Sequence, residues 1–444
     1  MFLDCTSVIA ANPPAGYAGV AVADLDGDDE PEVFVCGTPG PSRVLKWTGT
    51  ALRDVTPPEL AAPAAGAAAA DLDGDGREEL YVLAAGPVPD RLFARPPGGG
   101  WADLFTRPGR PAARPQVAGR AAAALDRRGT GRYGFAVVTA GRPLRLFELS
   151  PDGALSDLAP ALGVDLAGIG HGLLAAPIAG DRPDLLCLNA RGPNFLFRNT
   201  GVGTFLELAA EYRLDDPAES SLAGVVAGAG VCVGTEDGPH RLMARQADGT
   251  FRDRATPALA LPSAVRAVVA ADFDNDGYEE LFFLNSGEPN RLFRARPGEG
   301  GAGWALDDPG VATEPDGPGT GAAVADLDGD GRLELLLTHA GGSGPPLTLY
   351  KWPRTGNAWL RVRPLTRFGA PARGAVVRLT AGGRDQVRVI DGGGSPGQAE
   401  PVAHFGLGRD PVVNGVTVTW PDGATAALDH PHPLRTVTVP YPGS

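Results

Sequence analysis

Short apolar runs separated by turns rich in Gly, Pro, Asn and Asp recur along most of the chain, and their contents repeat along with their spacing. Four segments share one layout: AVA-DLDGDDEPE-VFV at Asp24, AAA-DLDGDGREE-LYV at Asp71, VAA-DFDNDGYEE-LFF at Asp272 and AVA-DLDGDGRLE-LLL at Asp326. Small apolar residues lead in, a nine-residue acidic stretch follows, and a β-branched or aromatic run leads out, which predicts strand, loop, strand. Three further segments keep the frame while losing acids: ALDRRGTGRYGFAVV retains Asp126, APIAGDRPDLLCL retains Asp181 and Asp184 in a shortened loop, and AGVVAGAGVCV near residues 223–233 has no loop acid.

A third strand is predicted after each pair, at RVLKW (43–47), RLFAR (91–95), LRLFE (144–148), FLFRN (195–199), RLMAR (241–245), RLFRA (291–295) and LTLYK (347–351). A fourth follows only six of them, as ALRDVT, GWADLF, ALSDLA, TFLELA, TFRDRA and GWALDD. The missing copy lies at the other end of the chain, where Met1-Phe-Leu-Asp-Cys-Thr matches the F-x-D-x-T shape. The expected fold is therefore all-β: a seven-bladed β-propeller over residues 1–352, with residues 1–6 completing a last blade drawn from residues 322–351. Ring closure removes the unpaired edge and bare apolar face that an open array of sheets would leave at each end.

After Trp352 the repeat stops. Shorter alternating strands are expected at Asn357-Ala-Trp-Leu-Arg-Val-Arg, GAVVRLTAGG, DQVRVIDGGG, HFGLGRD, NGVTVTWPDG and LRTVTVP, giving a small all-β domain over residues 356–444.

In the four intact loops, carboxylates occupy positions 1, 3, 5 and 9: Asp24, Asp26, Asp28, Glu32; Asp71, Asp73, Asp75, Glu79; Asp272, Asp274, Asp276, Glu280; and Asp326, Asp328, Asp330, Glu334. Four carboxylates in nine residues repel one another unless a cation sits between them. A hard divalent ion with oxygen ligands suits them, and calcium is preferred over magnesium because it accepts more ligands in flexible geometry. Backbone carbonyls are expected to join at position 7, from Glu30, Arg77, Tyr278 and Arg332. An EF-hand is excluded, because its bidentate acid at position 12 is replaced here by Val35, Val82, Phe283 or Leu337. Gly at position 6 supports the turn in three loops, and the first has Asp29 there. About four Ca²⁺ ions are expected, and ions at hairpin turns of this kind serve folding. Four would move the formal charge from −14 to −6.

That negative charge argues against a nucleic-acid or anionic-membrane surface. No uninterrupted apolar stretch of transmembrane length is present. The first residues show no basic patch followed by an apolar leader, which leaves the cytoplasm open as a location. Of the four cysteines, Cys36, Cys187 and Cys232 lie in apolar strand-like runs that suit buried thiols, and Cys5 lies outside one. Only Lys46 and Lys351 are lysines among 39 basic residues, a bias that codon preference for arginine explains.

The acidic loops, the segment Pro289-Asn-Arg-Leu-Phe-Arg294 and the turn Gly249-Thr-Phe-Arg-Asp253 resemble FG-GAP/VCBS-type repeats, as in integrin α-subunit propellers and the cartilage acidic protein family. That resemblance implies calcium at the D-x-D-x-D-G-x-x-[DE] residues of the four loops and not in the other three blades. The run Gly374–Gly423 resembles the ASPIC/UnbV domain, through Gly374-Ala375, Gln386, His404-Phe-Gly-Leu-Gly408 and Trp420-Pro-Asp-Gly423. It departs from that pattern in SPGQAEPVA before His404, where an aromatic, Ser-Gln-rich segment is usual.

No P-loop, H-E-x-x-H or Cys-x-x-Cys is present, and 20 of the 53 acids lie in the four loops. His171 and His404 alone have distinctive surroundings, and a lone His in a Gly-rich turn more often serves as a structural hydrogen-bonder. The expected function is therefore a calcium-binding protein acting in binding, adhesion or scaffolding toward a protein or glycan. The alternatives are an enzyme or accessory factor in bacterial secondary metabolism, as the UnbV resemblance implies, with its site at the central mouth or against the C-terminal domain, or a subunit of a larger assembly. The family resemblance favours an extracellular or cell-surface location.

Overall fold

Ala, Gly and Val dominate the strand that opens each unit because seven sheets can meet at one axis only if the side chains there are small. The computed structural model describes residues 1–96, 98–106, 114–115, 118–228, 230–296, 303–341, 346–394, 397–409 and 412–443. Among the described residues, seven units each have four antiparallel strands: blade 1 (17–54), blade 2 (64–103), blade 3 (121–157), blade 4 (170–207), blade 5 (221–253), blade 6 (265–307) and blade 7 (319–351). Blade 7 takes its outer strand from Leu3–Asp4, with Leu3 opposite Lys351 and Asp4 opposite Tyr350.

Successive blades share an apolar cluster. Ala21, Phe34, Ala67 and Leu80 join blades 1 and 2, and the ring closes where Val20, Val33, Ala323 and Leu336 join blades 1 and 7. Phe2, 2% exposed, locks that closure into the seam between blades 6 and 7, with its ring 4.9 Å from Phe273 and 5.1 Å from Trp352, both edge-on. Cys36, Cys187 and Cys232 are buried as free thiols, and Cys5 is half-buried and free.

The C-terminal part packs two sheets around Leu360, Val377, Phe405, Val418 and Trp420. One sheet orders Ala403–Gly408, Ala358–Pro364 and Thr436–Val439; the other orders Arg384–Val389, Val376–Ala381, Val413–Thr419 and Thr425–Asp429. Two strands differ from the sequence expectation. Thr425–Asp429 pairs with Val413–Thr419, although its Ala-rich run carries little strand signal. Gly397–Gln398, inside the stretch that departs from the ASPIC/UnbV pattern, adds a parallel strand to blade 1 at Val20 and Ala21. Ser395 and Pro396 of that stretch lie outside the described residues. Among the described residues, no helix is long and apolar enough to cross a membrane.

Phe2→Ala is expected to destabilise the chain by about 3–5 kcal/mol, as for other buried aromatic truncations. Denaturant unfolding measures this, and a loss below about 1 kcal/mol would contradict closure through this residue.

Candidate metal centres

Each acidic loop joins the innermost strand of its blade to the next, and a repeated set of backbone hydrogen bonds shapes it. The position-1 carboxylate accepts the position-6 amide in all four: Asp29 to Asp24 at 2.9 Å, Gly76 to Asp71 at 3.0 Å, Gly277 to Asp272 at 2.8 Å and Gly331 to Asp326 at 2.9 Å. The position-9 glutamate accepts the position-2 amide: Leu25 to Glu32 at 2.8 Å, Leu72 to Glu79 at 2.7 Å, Phe273 to Glu280 at 3.0 Å and Leu327 to Glu334 at 2.7 Å. The position-7 amides of Glu30, Arg77, Tyr278 and Arg332 donate to Asp28, Asp75, Asp276 and Asp330 at 2.8–3.1 Å. Position 6 needs left-handed backbone, and Asp29 adopts it at φ 72° beside 90°, 92° and 79° for Gly76, Gly277 and Gly331. The first loop therefore turns as the others do despite lacking the glycine.

This scaffold brings side-chain oxygens within 4.8 Å of one another in four places: Asp24, Asp26 and Glu32; Asp71, Asp73 and Glu79; Asp272, Asp274 and Asp276; and Asp326, Asp328 and Glu334. The other position-5 acids fall outside these groups and have basic partners. Asp28 meets Lys46 at 2.6 Å, Asp75 accepts Arg77 Nε at 3.0 Å, and Asp330 accepts Arg332 Nε at 3.0 Å. Tyr278 instead lies under the Arg384 guanidinium, 4.0 Å from the ring centre.

Burial, reinforced by neighbouring carboxylates in most of these loops, pushes the acids up: Glu32 and Asp71 to about 7, Asp272 and Glu334 to about 8, Glu79 to about 9 and Asp326 to about 6, with Glu280 also well above its ordinary value. Asp272 Oδ1, Glu280 Oε1 and Asp326 Oδ1 are buried with no hydrogen-bond partner, on residues at most 2% exposed. Orphaned oxygens on buried carboxylates fit a hard cation. Asp126 of blade 3 and Asp184 of blade 4 contrast with them: Asp126 accepts amides of Thr130 and Gly131 at 3.0 and 2.6 Å, and Asp184 accepts those of Ala179 and Asn199 at 2.8 Å each.

The C-terminal domain rests on the face that carries these loops. Arg361 meets Asp326 at 3.1 Å and also contacts Glu400; Arg363 meets Asp29 at 2.8 Å; the Gly406 amide donates to Asp272 at 3.0 Å. Arg373 pairs with Glu78 at 2.9 Å, both 1% exposed at the side chain. Gln398 reaches down the axis and exchanges hydrogen bonds with the Ala69 backbone at 2.8 and 3.1 Å, while Gly392 exchanges them with Ala124 and Ala175. A cavity of about 130 Å³ is left beside this segment, lined by Asp272, Glu279, Arg361, Arg388, Glu400 and His404. Its two arginines are paired, Arg388 with Glu279 at 3.3 Å and Arg361 with Asp326 and Glu400. His404 is buried, its pKa held well below the ordinary value by burial, with Nε2 2.6 Å from Asn275 Oδ1. His171 is half-buried. Glu78, Arg361, Arg373 and Gln398 carry no signal in the sequence, because no local motif marks contacts between residues far apart in the chain.

A family model described as FG-GAP-like repeat matches residues 24–82, 231–283 and 272–337, and one described as ASPIC and UnbV matches residues 366–444. The chain is 39% identical over 464 residues to cartilage acidic protein 1 of Mus musculus, covering 93% of this chain and 72% of that protein. It is 38% identical over 494 residues to the Xenopus tropicalis protein of that name, covering 97% and 76%. Among solved structures, a lectin from Burkholderia pseudomallei overlaps 76% of this chain and 99% of its own with a TM-score of 0.51 at 14% identity, a likeness of fold alone.

Arg373→Ala leaves Glu78 buried and uncompensated and is expected to destabilise by about 3–5 kcal/mol, with Glu78→Gln in the same chain recovering part of the loss. Equal losses in the single and double variants would show that the pair does not carry the effect. In cation-free buffer, Asp71 and Glu79 hold protons in the folded chain that the unfolded chain releases near ordinary carboxylate values. Their contribution is therefore most favourable below those values and is lost as pH rises through about 7 and then about 9. Calorimetric melting from about pH 5 to about pH 9 should show stability falling with pH, and saturating calcium should flatten the slope. A cation-free melting temperature that rises over that window would contradict the burial of these acids.

Proposed function

The chain belongs to the cartilage acidic protein family, and from that premise we propose that it is a calcium-binding β-propeller acting as a binding, adhesion or scaffold protein toward a protein or glycan partner outside the cell. Calcium would be held by the position-1, -3, -5 and -9 carboxylates of the four loops, with position-7 carbonyls completing each shell. The observation that carries this reading is the pair of buried carboxylate oxygens, Asp272 Oδ1 and Asp326 Oδ1, that have no hydrogen-bond partner inside acidic clusters. A bound ion would replace the protons those clusters otherwise take up and hold the inner hairpin in each of the four blades that carry an acidic loop. Sites with millimolar dissociation constants suffice in extracellular fluid.

A catalytic role needs polar groups free to meet a substrate. In the axial cavity both arginines are already ion-paired, Arg388 with Glu279 and Arg361 with Asp326 and Glu400, and Asp391–Gly394 and Gly397–Glu400 run across the mouth on that face. Both features support a rigid binding platform over an enzyme.

Excess chelator is expected to lower the melting temperature. Calcium at about a hundredfold its dissociation constant contributes about 2.7 kcal/mol per site. An unchanged melting temperature after complete calcium removal would overturn the calcium reading.

A further inference from the structure

Lys46 and Lys351 are the only lysines in the chain, and strand pairing gives them the same place in two adjoining blades. Lys46 stands opposite Glu32 and Lys351 opposite Glu334, each on the third strand facing the position-9 glutamate. Lys46 Nζ lies 2.6 Å from Asp26, 2.6 Å from Asp28 and 2.8 Å from Glu32. Lys351 Nζ lies 2.7 Å from Asp328 and 2.9 Å from Asp330, and also contacts Glu334. Both ammonium groups thus engage positions 3, 5 and 9, three of the carboxylates assigned to the metal.

The chemistry explains why a chain that otherwise uses arginine keeps lysine at these two positions. An ammonium is a compact charge whose three N–H groups fan out tetrahedrally, so it can meet three carboxylates converging from different directions, whereas a guanidinium is a flat fork. Blade 6 shows the difference. Arg294, opposite Glu280, reaches Asp274 at 2.8 Å and stands 3.7 Å from Glu280, while its Nε also turns to Asp307 at 3.1 Å. In blade 2, Leu80 pairs with Phe93, which leaves Ala94 facing Glu79. Among the described residues, no basic side chain forms an ion pair with Asp71, Asp73 or Glu79.

We propose that Lys46 and Lys351 are tethered counter-ions that compete with calcium for the same carboxylates, so that their two loops are graded against the loop 71–79, which has no lysine. The loop 71–79 takes calcium most tightly. Loops 24–32 and 326–334 take it more weakly, because each ammonium must withdraw from three carboxylates before the ion can enter. The same ammonium groups hold those two loops together when calcium is scarce. This proposal rests on the calcium reading above.

Calorimetric calcium titration of the full chain, paired with melting in chelator and in calcium, tests it with Lys46→Met, Lys351→Met and Asp71→Asn. Each lysine variant is expected to tighten one calcium site at least tenfold and to melt lower than the parent in chelator, with calcium restoring the difference. Asp71→Asn should remove the tightest site and leave the weaker ones in place. Calcium isotherms unchanged or weakened by both lysine substitutions would overturn the competition while leaving the calcium reading intact. A parent chain that takes up no calcium would overturn both.

Discussion

Carboxylates buried next to one another at the hairpins are the constraint around which the rest of this molecule is arranged. Burial raises the free energy of each charge, and proximity raises it again, so Asp71 with Glu79 and Asp272 with Glu280 are tolerable only when protonated, hydrogen-bonded or held by a cation. Backbone amides at positions 2, 6 and 7 satisfy part of the demand in the same way in all four loops. What remains is met differently from blade to blade, by lysine, by arginine or by oxygens left without partners.

The same constraint explains where the C-terminal domain sits. A face lined with acids attracts basic side chains, and Arg361, Arg363 and Arg373 descend onto Asp326, Asp29 and Glu78. The glycine-rich segment around Gly392 and Gly397 approaches the inner strands closely, since a Cβ at either position would collide with the backbone carbonyl of Ala124 or Ala322. The two parts of the chain therefore share hydrogen bonds along the propeller axis, and the domain caps the ring.

Much of this was legible because repetition amplifies weak signals. A single run such as RVLKW carries little information, but seven runs at matching intervals define blades, and a six-of-seven count points to residues 1–6, within which the structure has the strand Leu3–Asp4. The loop acids were legible for the same reason. The two lysines were not, since one residue per blade forms no pattern and codon preference accounted for their rarity. Only the pairing of Lys46 with Glu32 and Lys351 with Glu334 gives them a role. Gln398 and Arg373 were hidden by distance along the chain, their partners Ala69 and Glu78 lying more than 290 positions away.

The most direct test is anomalous diffraction from crystals of the full chain grown with calcium and then with a lanthanide in its place. A peak enclosed by Asp71, Asp73, Asp75 and Glu79 is expected, stronger than those at the lysine-bearing loops. A calcium-replete crystal with no peak at that cage, its carboxyl groups instead hydrogen-bonded to water and to one another, would contradict it.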